Sequence, residues 1–172
     1  MAVTDGQLPD WLSGTYVRNG PGLFEAGDRR VEHWFDGFAM LLRITFEGMG
    51  DAPRLTTKFI ESDARAAALA TGALGYSEFM TPLSPPGSGP IAAARALVSL
   101  AAGDPTDNAC VNVVQRRSGG PLEVMTETQR SWFQVDPGTL ETTARVEWAG
   151  DFVGQLSTAH AQPDPAGGGV RV

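Results

Sequence analysis

Histidine and cysteine are scarce in this sequence of 172 residues, which contains two histidines and one cysteine. One cysteine has no partner within the chain, so a disulfide framework is excluded. A metal site built from this chain alone would have at most three ligands of these two types. A single cysteine also fits a reducing compartment.

Basic residues are also few, since 13 Lys and Arg stand against 20 Asp and Glu and give a formal net charge of −7. The longest basic clusters are two pairs, at 29–30 and 116–117. We therefore expect no nucleic-acid partner, because phosphates require a basic stripe. The sequence contains no apolar run of about 18 residues, so no membrane-spanning helix is predicted. The first residues, MAVTDGQLPDW, lack the features of a secretory signal, so a cytoplasmic or plastid location is expected.

Glycine and proline are abundant, at 21 and 12 residues, and hydrophobic residues make up 42% of the chain. This composition is typical of a globular chain with many turns. Alternating apolar residues predict a strand at 38–46, with a hairpin turn at the Asp-Gly pair 36–37 and a partner strand at 54–60. The sequence NGPG at 19–22 predicts an irregular loop.

Two segments have helical character. Residues 63–75 are rich in alanine and predict a short helix that ends at Gly72 or Gly75. Residues 91–102, IAAARALVSLAA, predict an apolar helix of about three turns. The sequence leaves two alternatives open for this second helix. It is either buried in the protein or docked on a membrane surface or over an apolar mouth.

The second half of the sequence has the pattern of a β-meander. Short apolar stretches recur at a spacing of about ten residues, with turn residues between them. This pattern is typical of a sandwich, a barrel or a propeller blade. The predicted strands are 111–115, 122–128, 131–136 and 143–148.

Few residues suggest chemistry by themselves. His33, in EHWFDGF, lies beside a predicted turn, where a structural role is favoured over metal ligation. His160, in QLSTAHAQPDP, has no partner at a spacing typical of a metal site. Glu127 lies in an otherwise apolar strand and either faces solvent or, pointing inward, orients a metal-bound histidine. Nucleotide-binding and hydrolase motifs are absent from the sequence.

Eight segments, in order along the chain, together resemble the carotenoid cleavage oxygenases, the family of the β-carotene oxygenases and the retinoid isomerohydrolase. The HWFDG sequence within them resembles the animal-type and algal members most. The segments are LPDWLSGTYVRNGPGLFEAG (8–27), EHWFDGFAMLLRITF (32–46), KFIESDA (58–64), SEFMTP (77–82), TDNACVNVV (106–114), MTET (125–128), DPGTLETTARVEW (136–148) and STAHAQPDP (157–165).

The resemblance implies an all-β fold with short helices, namely the N-terminal blades of a seven-bladed β-propeller. Residues 1–172 are expected to be the N-terminal part of one propeller domain, with an apolar loop and helix insertion at about 83–103. Family members are about three times as long, so an N-terminal fragment or a truncated gene model is expected. The insertion resembles a membrane-facing segment at a tunnel mouth, which makes membrane docking of 91–102 as strong an alternative as burial.

The resemblance also implies an iron(II) ion held by four histidines from different blades, with three glutamates that accept hydrogen bonds from three of them. By position, His160 in STAH resembles the first iron ligand, and Glu127 in TET resembles one of these glutamates. Thr126 and Val111 correspond to positions that line the iron cavity in the family. The Ala-Gln-Pro sequence after His160 departs from the family, which usually has Pro-His there.

The function implied by the resemblance is O2-dependent cleavage of a conjugated C=C bond in a carotenoid or apocarotenoid, with carbonyl products. An apolar tunnel would bind this substrate, which has almost no polar groups. The chain by itself is expected to be inactive, because it resembles the source of one iron ligand out of four. The alternatives are an isomerohydrolase or stilbene-cleaving member of the family, and a non-catalytic β-domain that binds an apolar ligand.

Overall fold

The computed structural model describes residues 5–78, 80–81, 106–126, 131–147, 160, 162–163 and 170–171. Three predictions lie outside the described residues: Glu127, the insertion at 83–103, and the helix 91–102 within it.

Two antiparallel sheets form most of the described structure. The first has three strands in the order β1-β4-β5, and the second has four strands in the sequential order β6-β7-β8-β9. Two pairs of short strands, β2-β3 and β10-β11, accompany them. The strands are β1 (Ser13–Leu23), β2 (Glu25–Ala26), β3 (Arg29–Arg30), β4 (Phe38–Glu47), β5 (Arg54–Phe59), β6 (Asn112–Gln115), β7 (Leu122–Met125), β8 (Ser131–Val135), β9 (Thr142–Glu147), β10 (Gln162–Pro163) and β11 (Val170–Arg171). A 3-10 turn spans Trp34–Asp36, and helix α1 spans Asp63–Thr71.

The loop predicted at 19–22 is wrong, because these residues lie inside β1. Strand β1 pairs with β4 along its whole length, and the register shifts between Pro21 and Leu23. Proline is tolerated at such a shift, because no hydrogen bond of the sheet there requires the N–H that proline lacks. Gly22 allows a close approach to β4, because a Cβ there would lie 2.5 Å from the Cβ of Met40.

The hairpin turn predicted at 36–37 is also wrong, although the strand after it is present as β4. Residues 31–35, directly before Asp36, do not pair with β4, whose partners in the first sheet are β1 and β5. Asp36 instead ends the 3-10 turn and is fully buried, where its carboxylate accepts hydrogen bonds from distant residues. Those distant bonds decide the local conformation, and the local sequence pattern carries no sign of them.

The meander predicted in the second half is confirmed by strands β6 to β9. Each strand pairs antiparallel with the next one along the chain. All four residues of β7 are buried, so neither face of this central strand is left to solvent. Glu123 on β7 is paired with Arg116, whose guanidinium lies 5.2 Å from the ring centre of Trp132.

The main core lies between the two sheets. The buried residues of this core include Ala39 and Leu41 from β4, and Val124 and Phe133 from the second sheet. Polar contacts reinforce the packing, since the Arg43 guanidinium donates to the carbonyl of Pro137 at 2.7 Å. The relative positions of the two sheets are therefore set by apolar burial and by long-range hydrogen bonds.

Helix α1 confirms the prediction of a short helix that ends at Gly72. Ser62 caps its N-terminus by accepting from the N–H of Arg65, and Gly72 ends it in a left-handed conformation at φ +66°. A second, smaller core lies beneath the helix, where its buried Ala64 and Ala68 pack with residues such as Phe38.

Gly27 is a position where a side chain is excluded twice over. Its φ is +58°, and a Cβ would lie 1.8 Å from the backbone oxygen of Gly72 at the end of α1. Gly119 has a similar φ of +74°, but a Cβ there would meet no atom within 4 Å. Gly119→Ala therefore measures the cost of the backbone conformation alone. We expect Gly119→Ala to cost about 1 kcal/mol of unfolding free energy and Gly27→Ala at least twice as much, measured by urea denaturation. Equal losses in the two variants would show that the contact with Gly72 relaxes freely.

Candidate functional site

The two residues predicted to line a cavity flank the same end of the β6-β7 pair. Asn112 on β6 pairs with Met125 on β7 as the last pair at this end, and Val111 precedes Asn112 while Thr126 follows Met125. Thr126 is buried, with 6% of its surface exposed, and Val111 is half-buried and packs against the main core. Both residues therefore lie at one end of the β6-β7 pair, next to the first sheet.

His160 is described as a single exposed residue in a turn, two positions before β10. Glu127 directly follows Thr126 in the chain but lies outside the described residues, so the structure gives it no position relative to His160. The part of the chain that the structure describes contains no group of three or more His, Cys, Asp or Glu arranged to hold a metal ion. The roles of His160 and Glu127 thus stay predictions.

His33 has the structural role that the sequence favours. Its Nδ1 accepts a hydrogen bond from the N–H of Phe35 at 3.1 Å, which caps the 3-10 turn. Its ring also packs edge-on against the ring of Phe35, with 5.2 Å between the ring centres.

The donor set of the chain fits part of an iron(II) site. Neutral imidazole is a ligand that iron accepts, and His160 offers one such group at the surface of the described structure. The only other histidine in the sequence, His33, already uses one ring nitrogen as a helical cap. His160 is therefore the histidine of this chain that the implied iron site would use.

A buried polar cluster lies close to Val111, and the sequence does not predict it. Asn108 is the centre of this cluster: its Oδ1 accepts from the N–H of Ala39 at 2.9 Å. Its Nδ2 donates to the carbonyls of Asp36 and Gly37 at 3.2 and 3.0 Å. Asn108 therefore ties the segment that leads into β6 to the 3-10 turn and to the start of β4.

Two further titratable side chains belong to the cluster. Burial raises the pKa of Glu78 to about 8 and outweighs the hydrogen bond that it accepts from the Thr106 hydroxyl. Burial, followed by the charge of Glu78, raises the pKa of the Cys110 thiol to about 12. The Cys110 thiol donates to the carbonyl of Phe35 at 2.8 Å. A thiol with such a pKa is not a nucleophile at neutral pH.

Asp107 connects the same segment to helix α1. Its two carboxylate oxygens accept from the N–H groups of Asp63 and Ala64 at 2.6 and 2.8 Å. Arg145 on β9 lies 3.5 Å from this carboxylate and 3.3 Å from that of Asp63. Consecutive polar residues at 106–108 directly before an apolar strand are the one sequence signal that could have indicated this cluster.

Exposed aromatic side chains lie on the 3-10 turn beside the cluster. Trp34 and Phe35 are 66% and 52% exposed, and the ring centre of Trp34 lies 5.1 Å from that of Phe24. Because Phe35 is bonded through its carbonyl to Cys110, which precedes Val111, this apolar surface adjoins the start of β6. Exposed aromatic surface of this kind is typical of a contact site for an apolar ligand or partner.

Comparison with known proteins decides the family. The chain matches the sequence model of the RPE65 family, described as retinal pigment epithelial membrane protein, over residues 1–170. The chain belongs to this family. Over 157 residues it is 40% identical to carotenoid cleavage dioxygenase 8 homolog B, chloroplastic, of Oryza sativa subsp. japonica. This match covers 91% of the chain and 27% of that protein. Over 167 residues it is 34% identical to beta,beta-carotene 15,15'-dioxygenase of Gallus gallus. This match covers 96% of the chain and 31% of that protein.

A solved structure confirms the fold class of this member of the carotenoid cleavage dioxygenase family. The chain is similar to the apocarotenoid oxygenase of Synechocystis with a TM-score of 0.69 and 25% sequence identity, over 92% of the chain and 31% of that structure. The described residues are mostly β-strand with one short α-helix, as expected for blades of the β-propeller of these oxygenases. The chain spans less than a third of the length of each of these three proteins.

The remaining expectations about domain and membrane are not decided by these findings. No helix among the described residues has the length and hydropathy needed to cross a membrane. The assignment of residues 1–172 to one propeller domain, with an insertion at about 83–103, stays a prediction.

Proposed function

We propose that this chain supplies one iron ligand and part of the cavity wall of an iron(II)-dependent carotenoid oxygenase. The proposed reaction is cleavage of a conjugated C=C bond of a carotenoid or apocarotenoid by O2, with two carbonyl products. The observation that carries the proposal is 40% identity to a protein named a carotenoid cleavage dioxygenase, over 91% of the chain. The adjacent positions of Val111 and Thr126 at one end of the second sheet support it.

Each proposed site residue has a separate task. His160 binds the metal through a ring nitrogen, and Glu127 accepts a hydrogen bond from the N–H of a metal-bound imidazole. Thr126 and Val111 form the wall beside the metal, where the buried position of Thr126 limits the entry of water. Iron(II), when bound, supplies open coordination positions at which O2 and the polyene meet.

The proposed substrate is almost entirely hydrocarbon, so its binding depends on apolar surface. The exposed rings of Trp34 and Phe35 lie on the turn that is bonded to Cys110, next to Val111. This arrangement supports a path for an apolar ligand toward the cavity wall. We also propose a plastid or cytoplasmic location, and three plant relatives named chloroplastic support the plastid. Docking of 91–102 on a membrane surface is part of the same proposal.

The test uses the full-length gene product, loaded with iron(II) and supplied separately with β-carotene, an apocarotenal and a retinyl ester. We expect paired carbonyl products from β-carotene or the apocarotenal, and no product when O2 is removed. The 172-residue chain is the matched control and is expected to yield no product. Conversion of the retinyl ester alone would replace the proposal with isomerohydrolase activity, and iron-loaded protein without any product would contradict both.

A further inference from the structure

Asn19 is a buried polar residue of β1 that bonds to the second sheet. It is 6% exposed, and its backbone pairs with Leu41 of β4. Its side-chain Nδ2 donates to the carbonyls of Ala109 and Asn112 at 2.6 and 3.1 Å. An amide nitrogen carries two hydrogens, so this one group supplies a donor to each carbonyl. The two bonds therefore tie β1 to the start of β6, on either side of Val111.

These two bonds require a bend in the backbone between the bonded carbonyls. Both carbonyl oxygens lie within 3.1 Å of the same nitrogen, whereas three residues of extended chain advance about 10 Å. The chain accordingly bends at Val111, directly before β6 begins at Asn112. The bend lies at the candidate cavity wall, because Thr126 follows the residue of β7 that pairs with Asn112.

The other polar atom of the Asn19 side chain takes no part in this arrangement. Its Oδ1 is buried and accepts no hydrogen bond from the residues that the structure describes. A buried acceptor without a partner costs free energy, so an asparagine is not the best residue here for burial alone. The contribution of this side chain is therefore concentrated in the two bonds that hold the bend.

We propose that Asn19 is a positioning residue of the oxygenase site, which acts by holding the bend that orients Val111 in the cavity wall. This inference rests on the proposed function, in which Val111 and Thr126 form the wall beside the metal. A polyene has almost no polar group that could fix its position, so the shape of the wall determines where it lies relative to the reacting centre. A displacement of about 1 Å is enough to slow a reaction by about 100-fold.

The first measurement is hydrogen–deuterium exchange of the full-length gene product without substrate, read at a peptide that covers 109–115. Asn19→Leu removes both donated bonds and keeps the approximate volume of the side chain. We expect exchange in this peptide to rise about tenfold relative to the wild type, because the backbone of the bend loses its anchor. Unchanged exchange in the Asn19→Leu protein would contradict the proposal.

Arg43→Met is the matched control for this measurement. One guanidinium nitrogen of Arg43, on β4, also donates to two carbonyls of the second sheet, those of Pro137 and Gly138 in the turn between β8 and β9. Its loss removes the same number of bonds between the sheets but leaves those around Val111 in place. We expect exchange of the 109–115 peptide to stay at the wild-type level in this variant.

The second measurement is a double-mutant cycle on carotenoid cleavage, with all proteins compared at equal iron content. Asn19→Leu is expected to lower kcat about tenfold and to leave KM within about twofold, since the apolar surface that binds the substrate remains. In a Val111→Ala background the same substitution is expected to lower kcat by less than about twofold, because the side chain that Asn19 orients is already absent.

The cycle separates positioning from a general loss of structure. Equal losses of kcat from Asn19→Leu in both backgrounds would overturn the positioning role, whereas a wild-type protein that cleaves no carotenoid would overturn the proposed function and with it any role of Asn19 in the reaction. Asn19→Thr suits a strand and keeps one donor, so it replaces Asn19→Leu if that variant does not fold, with an expected loss of about threefold in kcat.

Discussion

His160→Ala in the full-length gene product is expected to reduce bound iron to the background level and to abolish carotenoid cleavage. The physical reason is the size of the ligand set: one of the two histidines in this chain acts in a structural cap, which leaves His160 as the imidazole donor. In the proposed site of four imidazoles, loss of one ligand removes one of the metal–nitrogen bonds. Iron content per protein, measured by mass spectrometry after gel filtration, checks the result.

The control is His33→Ala, which removes the other histidine. His33 accepts one hydrogen bond from the Phe35 N–H at the 3-10 turn, so its loss is expected to cost about 1 kcal/mol of stability and no iron. Glu127→Gln provides an intermediate case and is expected to weaken iron binding by about 10- to 100-fold. The glutamine side chain still orients the imidazole, but less well than the glutamate does. Equal iron content in the wild type and His160→Ala would remove His160 from the ligand set.

The sequence predicts the regular parts of the fold well, because their cause is local. Alternation of apolar residues over 38–46 corresponds to β4, and the strand spacing in the second half corresponds to β6 to β9. Gly72 ends α1 because a glycine adopts the left-handed conformation of its C-cap at little cost. In each case the residues that determine the structure are neighbours in the chain.

The two local errors and the missed polar cluster share a different cause. The turn residues at 19–22 are drawn into β1 by pairing with β4, and Asp36 is drawn out of a hairpin by hydrogen bonds from Met80 and Thr81. Partners about 20 to 45 positions away in the chain leave no trace in a local pattern. The candidate site has the same limitation, since only the register of β6 and β7 brings Val111 beside Thr126.

Asn108→Ala is expected to be strongly destabilising. The side chain of Asn108 is buried and makes three hydrogen bonds to backbone groups, namely the N–H of Ala39 and the carbonyls of Asp36 and Gly37. Truncation leaves these groups without partners in a space that water does not readily fill. With about 1–3 kcal/mol for each of the three buried groups left unsatisfied, we expect a loss of at least about 3 kcal/mol.

Gln115→Ala is the matched control, because Gln115 also donates its side-chain amide to a backbone carbonyl, that of Gly120 at 2.8 Å, but on the exposed surface. Its loss is expected to stay within about 0.5 kcal/mol, since water replaces the bond. Urea denaturation of both variants and the wild type measures the difference, and similar losses in the two would show that burial of Asn108 adds nothing.

Asn108→Asp separates hydrogen bonding from loss of volume. The aspartate keeps the size of the side chain and an oxygen that accepts from Ala39, but it replaces the donating amide with a second carboxylate oxygen. That oxygen faces the carbonyls of Asp36 and Gly37, and it adds a buried charge close to Asp36 and Glu78. We expect Asn108→Asp to be at least as destabilising as Asn108→Ala above pH 7 and to recover part of its stability in acid, because protonation removes the repulsion.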